Sequence, residues 1–180
     1  GETALVPSTP EEYREALQEF RKKLGDKHPK TMTVIVSLGN LLYEQGELKE
    51  AEPLLREALQ RKREMLGDKD ATTLISMNQL AALLKARGEL EEAGALFREV
   101  LQTKRRNLGD KDPSTMTSMT NLGMLLKAQG DLEEAEAMLR EALETRREVL
   151  GDTHPKTQSS IYNLGLVIKQ QGKFNGADPL

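Results

Sequence analysis

The chain has 180 residues, with 26 Lys and Arg against 29 Asp and Glu, a net charge of −3, no Cys, 2 His and 3% aromatic residues. This inventory excludes disulfides, thiolate metal cages and cysteine nucleophiles, leaves little for a histidine-centred site, and lacks the basic excess of a nucleic-acid-binding domain. No segment approaches the roughly 20 apolar residues of a membrane span, and Gly1-Glu2-Thr3-Ala4-Leu5-Val6 has neither the basic start nor the apolar stretch of a signal peptide.

Residues 1–9 read as a disordered or added segment, and the absence of an initiator Met suggests a processed, tagged or excised chain. The first helix is expected over 10–24, with Thr9 as N-cap and Glu12 three residues later, the signature of a capping box. Its apolar face carries Tyr13, Ala16, Leu17, Phe20 and Leu24. The tripeptide Leu24-Gly25-Asp26 then recurs at 66–68, 108–110 and 150–152, always 42 residues on. Residues 24–65 and 108–149 are identical at 25 of 42 positions without a gap. A fixed period of this size marks stacked units of one solenoid.

Each unit divides into a helix A and a helix B. Helix A is expected over 29–44, 71–86, 113–128 and 155–171, and helix B over 47–66, 89–108 and 131–150. His28, Asp70, Asp112 and His154 occupy the cap slot, and Pro29, Pro113 and Pro155 stand at the first helical position, where a missing N–H costs nothing. Ile35, Leu38, Leu41 and Leu42 recur at helical spacing, as do Ala51, Leu55, Ala58, Leu59 and Leu66 in the next helix. Gly46, Gly88, Gly130 and Gly172 stop helix A, whereas Gly25, Gly67, Gly109 and Gly151 stop helix B in an expected left-handed C-cap. No stretch alternates with period two, so the chain is expected to be all α.

These positions resemble the tetratricopeptide repeat. Leu38-Gly39, Leu80-Ala81, Leu122-Gly123 and Leu164-Gly165 fill its Leu-Gly slot; Ala51, Ala93, Ala135 and Ala177 fill its small slot. Tyr13, Leu55, Phe97 and Leu139 fill the bulky slot, and Ile35, Met77, Met119 and Ile161 stand where the family has Trp. The family's closing proline is replaced by Arg21, Arg63, Arg105 and Arg147, so helix B continues and the period lengthens from the usual 34 to 42. The long helix B and the Leu-Gly-Asp linker are similar to kinesin-light-chain-type repeats. The resemblance implies a right-handed α-α superhelix of antiparallel helix pairs. It divides into a partial repeat over 10–26, repeats over about 27–68, 69–110 and 111–152, and a truncated repeat over 153–180.

The resemblance also implies that the face of helix A opposite its apolar stripe lines a concave groove. That face holds Thr33, Val36, Ser37, Asn40 and Tyr43, then Ile75, Asn78, Gln79, Ala82 and Lys85. The later repeats supply Thr117, Thr120, Asn121, Met124 and Lys127, then Ser159, Tyr162, Asn163, Leu166 and Lys169. Amides both donate and accept, so Gln79, Asn121 and Asn163 suit the backbone of an extended peptide. In kinesin-light-chain repeats an Asn at this slot contacts cargo peptide, and Asn121 and Asn163 match it directly. Lys85, Lys127 and Lys169 form a ladder suited to acidic residues of a partner. The bland alternative is a solvated polar face. A carboxylate clamp of the chaperone-adaptor kind is not expected, because Val36, Thr117 and Asn121 stand where its basic residues belong.

Other candidates weaken on inspection. His28 and His154 lie three periods apart and cannot share a metal. The basic ends of helix B, such as Arg61-Lys62-Arg63, complement the helix dipole and have acids upstream. The expected function is therefore a cytoplasmic protein- or peptide-binding scaffold, not an enzyme, with no cofactor, metal, nucleic acid or membrane. A second reading is a self-assembling array, or an engineered or excised fragment, in which Tyr13, Leu17 and Phe20 of one chain meet Ile161, Leu164 and Ile168 of another. A regulatory segment of a larger enzyme ranks last.

Overall fold

The structure is a computed structural model and describes residues 7–172. Among these the chain forms α-helices and no strand: α1 (Pro10–Leu24), α2 (Pro29–Glu44), α3 (Leu48–Leu66), α4 (Ala71–Arg87), α5 (Leu90–Leu108), α6 (Pro113–Gln129), α7 (Leu132–Leu150) and α8 (Pro155–Gln170). The expected boundaries hold to within one residue. The expected start of a further helix B at Phe174 lies outside the described residues.

Local chemistry sets these ends. Thr9 Oγ1 accepts from the Glu12 N–H at 3.3 Å while the Glu12 carboxylate accepts from the Thr9 N–H at 3.2 Å, completing the capping box. Asp70 accepts from the N–H groups of Thr72 and Thr73, and Asp112 from those of Ser114 and Thr115. In the same slot His28 and His154 accept through Nδ1 from the N–H two residues on.

The exits of helix B differ from the expectation. Gly67 has φ 84° and ψ 169°, and Gly25, Gly109 and Gly151 agree with it closely. This is not the left-handed helical cap but an extended conformation at positive φ, which essentially only glycine occupies. The left-handed cap occurs instead at the end of helix A, at Gly88 and Gly130.

Two compact units divide the chain, Gly1–Gly88 and Glu89–Leu180. In the first, α1 packs on α2, α2 on α3 and α3 on α4. Ile35, Leu38, Leu42, Ala51, Leu55, Ala58 and Leu59 are buried there. Each fully buried aliphatic side chain contributes about 1.5–3 kcal/mol. In the second unit α5 packs on α6, α6 on α7 and α7 on α8, with Phe97, Met119, Leu122, Leu126, Leu139 and Leu143 buried. Leu66, expected on the packed face of helix B, is 52% exposed as the last residue of α3, where the chain turns away at Gly67.

The arginine that replaces the closing proline has structural work. Arg21 pairs with Asp26 of its own linker at 3.2 Å and with Glu57 of the next helix B at 2.7 Å. Arg105 does the same with Asp110 at 2.9 Å and Glu141 at 2.5 Å. Helix A is tied back to the preceding helix B as well. Gln129 Nε2 donates to the Leu90 carbonyl and to Glu91, Gln171 Nε2 donates to the Leu132 carbonyl, and Arg87 pairs with Glu52.

Candidate functional site

Because α2 and α4 bury their Ile35 and Met77 faces, the opposite faces of these two helices lie open. Between them is a pocket of about 380 Å³, lined by Asn40, Tyr43 and Glu44 from α2, Leu55 from α3, and Asn78, Gln79 and Ala82 from α4. Three candidate residues thus meet in one place. Gln79 Nε2 donates to Asn40 Oδ1 at 3.1 Å, joining the two helices through side-chain amides. The Asn78 and Gln79 side-chain oxygens are buried with no donor among the described residues. Lys85, in the same unit, is half-buried on α4 and does not line this pocket.

In the second unit Asn121 of α6 and Asn163 of α8 are half-buried, Lys127 is half-buried and Lys169 is exposed. Neither lysine has an ion-pair partner among the described residues. Thr120, Met124 and Leu166 lie half-buried beside them, and Tyr162 stands out at 68% exposure. This surface is apolar and basic, whereas the pocket of the first unit is rich in amide and acidic groups. The expected lysine ladder begins only at α4, since α2 has Tyr43 in that slot. Glu44 and Leu55 escaped the sequence reading as site residues. The signal for Glu44 was present, because the equivalent positions are Ala86, Ala128 and Gln170.

The self-association candidates divide. Leu17 and Leu164 are buried at 6% and 0% exposure and belong to the core of their units, so they offer no free surface. Tyr13, Phe20, Ile161 and Ile168 are half-buried. Among the described residues, no helix is long and apolar enough to cross a membrane and no cluster of His, Cys, Asp or Glu is fit to hold a metal.

Antiparallel helix pairs with a 42-residue period, each repeat leaving one face of its helix A open, define a tetratricopeptide-type scaffold. The tetratricopeptide repeat family model matches residues 11–64, 72–148 and 120–179, and the chain belongs to that family. Its fold is similar to solved structures of kinesin-light-chain-like repeats. One is a Podosopora anserina protein assigned as a kinesin light chain with nearly identical repeats: it is 23% identical over 92% of this chain and 78% of that one, with a TM-score of 0.84. A second crystal structure of the same repeats gives 23% identity over 92% and 78% of the two chains and a TM-score of 0.83. BtubC (BKLC) from P. vanneervenii is 26% identical over 91% of this chain and 65% of that one, with a TM-score of 0.76. No curated protein sequence matches the chain.

Proposed function

We propose that the protein is a non-catalytic scaffold that holds an extended peptide or partner segment against the open faces of its A helices. The observation that carries this reading is the amide-lined pocket between α2 and α4, whose lining also includes Leu55 and Ala82. Such a mixture of apolar and few placed polar groups is typical of recognition sites. Asn121 and Asn163 supply amides on the open faces of the second unit, and Lys127 and Lys169 there favour acidic residues in a bound segment. A cytoplasmic setting suits a chain without cysteine.

Peptides selected on the protein from a random display library test the reading. Asn121→Ala with Asn163→Ala should weaken a selected peptide by about 1–3 kcal/mol through lost backbone contacts. Reversing Lys85, Lys127 and Lys169 to Glu should harm acidic peptides most, in a salt-dependent manner. Selected peptides whose affinity ignores both sets would place binding elsewhere.

A second reading is head-to-tail self-association. With Leu17 and Leu164 in the core, Tyr13, Phe20, Ile161 and Ile168 remain to make the contact. A heterologous contact of this kind need not close, and so can yield open assemblies. Sedimentation at rising concentration should show association that Phe20→Glu or Ile168→Glu reduces; a strict monomer throughout would end this reading.

A further inference from the structure

A repeat protein provides its own baseline, because equivalent positions share the same structural duty. Against that baseline α2 departs at three positions close together. Asn40 stands where the other repeats have Ala82, Met124 and Leu166; Tyr43 stands where they have Lys85, Lys127 and Lys169; Glu44 stands where they have Ala86, Ala128 and Gln170. All three line the pocket between α2 and α4. Asn40 joins the two helices through Gln79, but Tyr43 and Glu44 are exposed and packing does not require them.

Together they change the chemistry of the slot from basic to acidic. A lysine has gone, a carboxylate has arrived, and the lining contains no cation. Glu44 is exposed and has no ion-pair partner among the described residues. Tyr43, also exposed, adds an aromatic ring to the same lining. A ligand group that satisfies this set carries a positive charge, donors for the carboxylate and an apolar stem.

We propose that this pocket is a specificity site for one arginine side chain of the bound segment. The stem would lie along Ala82 beside Leu55, the guanidinium against Tyr43, and its forked N–H groups toward Glu44. A planar fork serves a carboxylate better than the point charge of a lysine, and a ring face attracts a cation. The inference rests on the scaffold reading above and adds a preference opposite in sign to that of Lys127 and Lys169.

The test is a titration of the isotope-labelled protein, followed by amide chemical shifts. The probes are the pentapeptide acetyl-Gly-Ala-Arg-Ala-Gly-amide and its citrulline and glutamate counterparts. The arginine peptide should move the resonances of residues 40–44 and 78–82 saturably, and the other two should not. Glu44→Gln should weaken the arginine peptide about five- to tenfold, the effect of a charge-assisted bond partly screened by solvent. Tyr43→Lys with Glu44→Ala, which restores the pattern of the other repeats, should abolish the response. Equal binding of the citrulline peptide would overturn the proposal without recourse to any variant. Shifts confined to the open faces of α6 and α8 would overturn it while leaving the scaffold reading in place. No response on any A helix to any peptide would count against both.

Discussion

Lys62 of α3 donates from Nζ to Ser76 Oγ of α4 at 2.9 Å and to the Thr72 carbonyl at 3.3 Å. Lys104 repeats the arrangement one period later, donating to the Ser114 carbonyl at 3.3 Å. Burial pushes both amino groups below their usual pKa, and the cap carboxylates Asp70 and Asp112 partly oppose that shift. In the other two repeats the cap slot holds histidine, and the lysine slot changes with it, to Phe20 before His28 and Arg146 before His154. Arg146, buried, donates to Ser160 Oγ and the Met116 carbonyl, and burial lowers its pKa. A lysine at this corner thus accompanies an aspartate cap.

That arrangement sets two limbs of pH dependence. Lys62 and Lys104 have folded pKa values below 10.5, so between those values and 10.5 the unfolded chain binds more protons and stability rises with pH. Asp70 and Asp112 are held below 3.8, chiefly by the side-chain hydrogen bonds of Thr72 and Ser114. Their contribution is present above 3.8 and lost as pH falls through the lowered folded values. Denaturant midpoints measured across pH should show Lys62→Met with Lys104→Met reducing the alkaline rise. Asp70→Asn with Asp112→Asn should reduce the acid loss while keeping a capping side chain.

The two glycine exits of a repeat should respond differently to substitution. A Cβ at Gly67 or at Gly88 meets nothing within 4 Å, so backbone conformation alone sets the cost. Gly67, extended at positive φ, should lose about 1–3 kcal/mol on mutation to Ala or Asn. Gly88, in the left-handed region, should lose about 1 kcal/mol to Ala and less to Asn, which tolerates that region. Thermal unfolding of the four variants measures this, and equal losses for the two asparagine variants would refute the distinction.

Close approach of helices makes one slot sensitive to a single methyl group. A Cβ at Gly123 would lie 2.7 Å from Leu139 Cγ and 2.8 Å from its Cδ2. Gly123→Ala should therefore destabilise by about 1–3 kcal/mol through overpacking. Chemical unfolding of the variant beside the wild type measures the loss.

Helix ends were legible because their signals are local. Thr9 and Glu12, Asp70, Pro113 and the glycines each act within a turn of their own position, and the repeat supplied each signal several times. The ψ angle of Gly67 was not legible, since positive φ admits both a helical and an extended continuation. The burial of Leu17 and Leu164 escaped because their packing depends on neighbouring helices rather than on the end of the array. For the site, Asn40, Asn78 and Gln79 were found from the helical face. Their convergence with Glu44 and Leu55 required the spacing of α2, α3 and α4, which no single helix encodes.

The ion pairs along the B helices join a residue to one 36 positions later, Arg14 to Glu50 and Arg21 to Glu57 in the first unit, Arg105 to Glu141 in the second. Each exposed pair contributes little by itself, about 0–1 kcal/mol. Their regular offset matters more for how such a gene can change. If one 42-residue unit is duplicated in frame, the incoming copy finds on either side the charges its template had. If one is deleted, the flanking units find each other's. Copy number can therefore drift without a compensating mutation at each junction, and the number of open helix-A faces can drift with it.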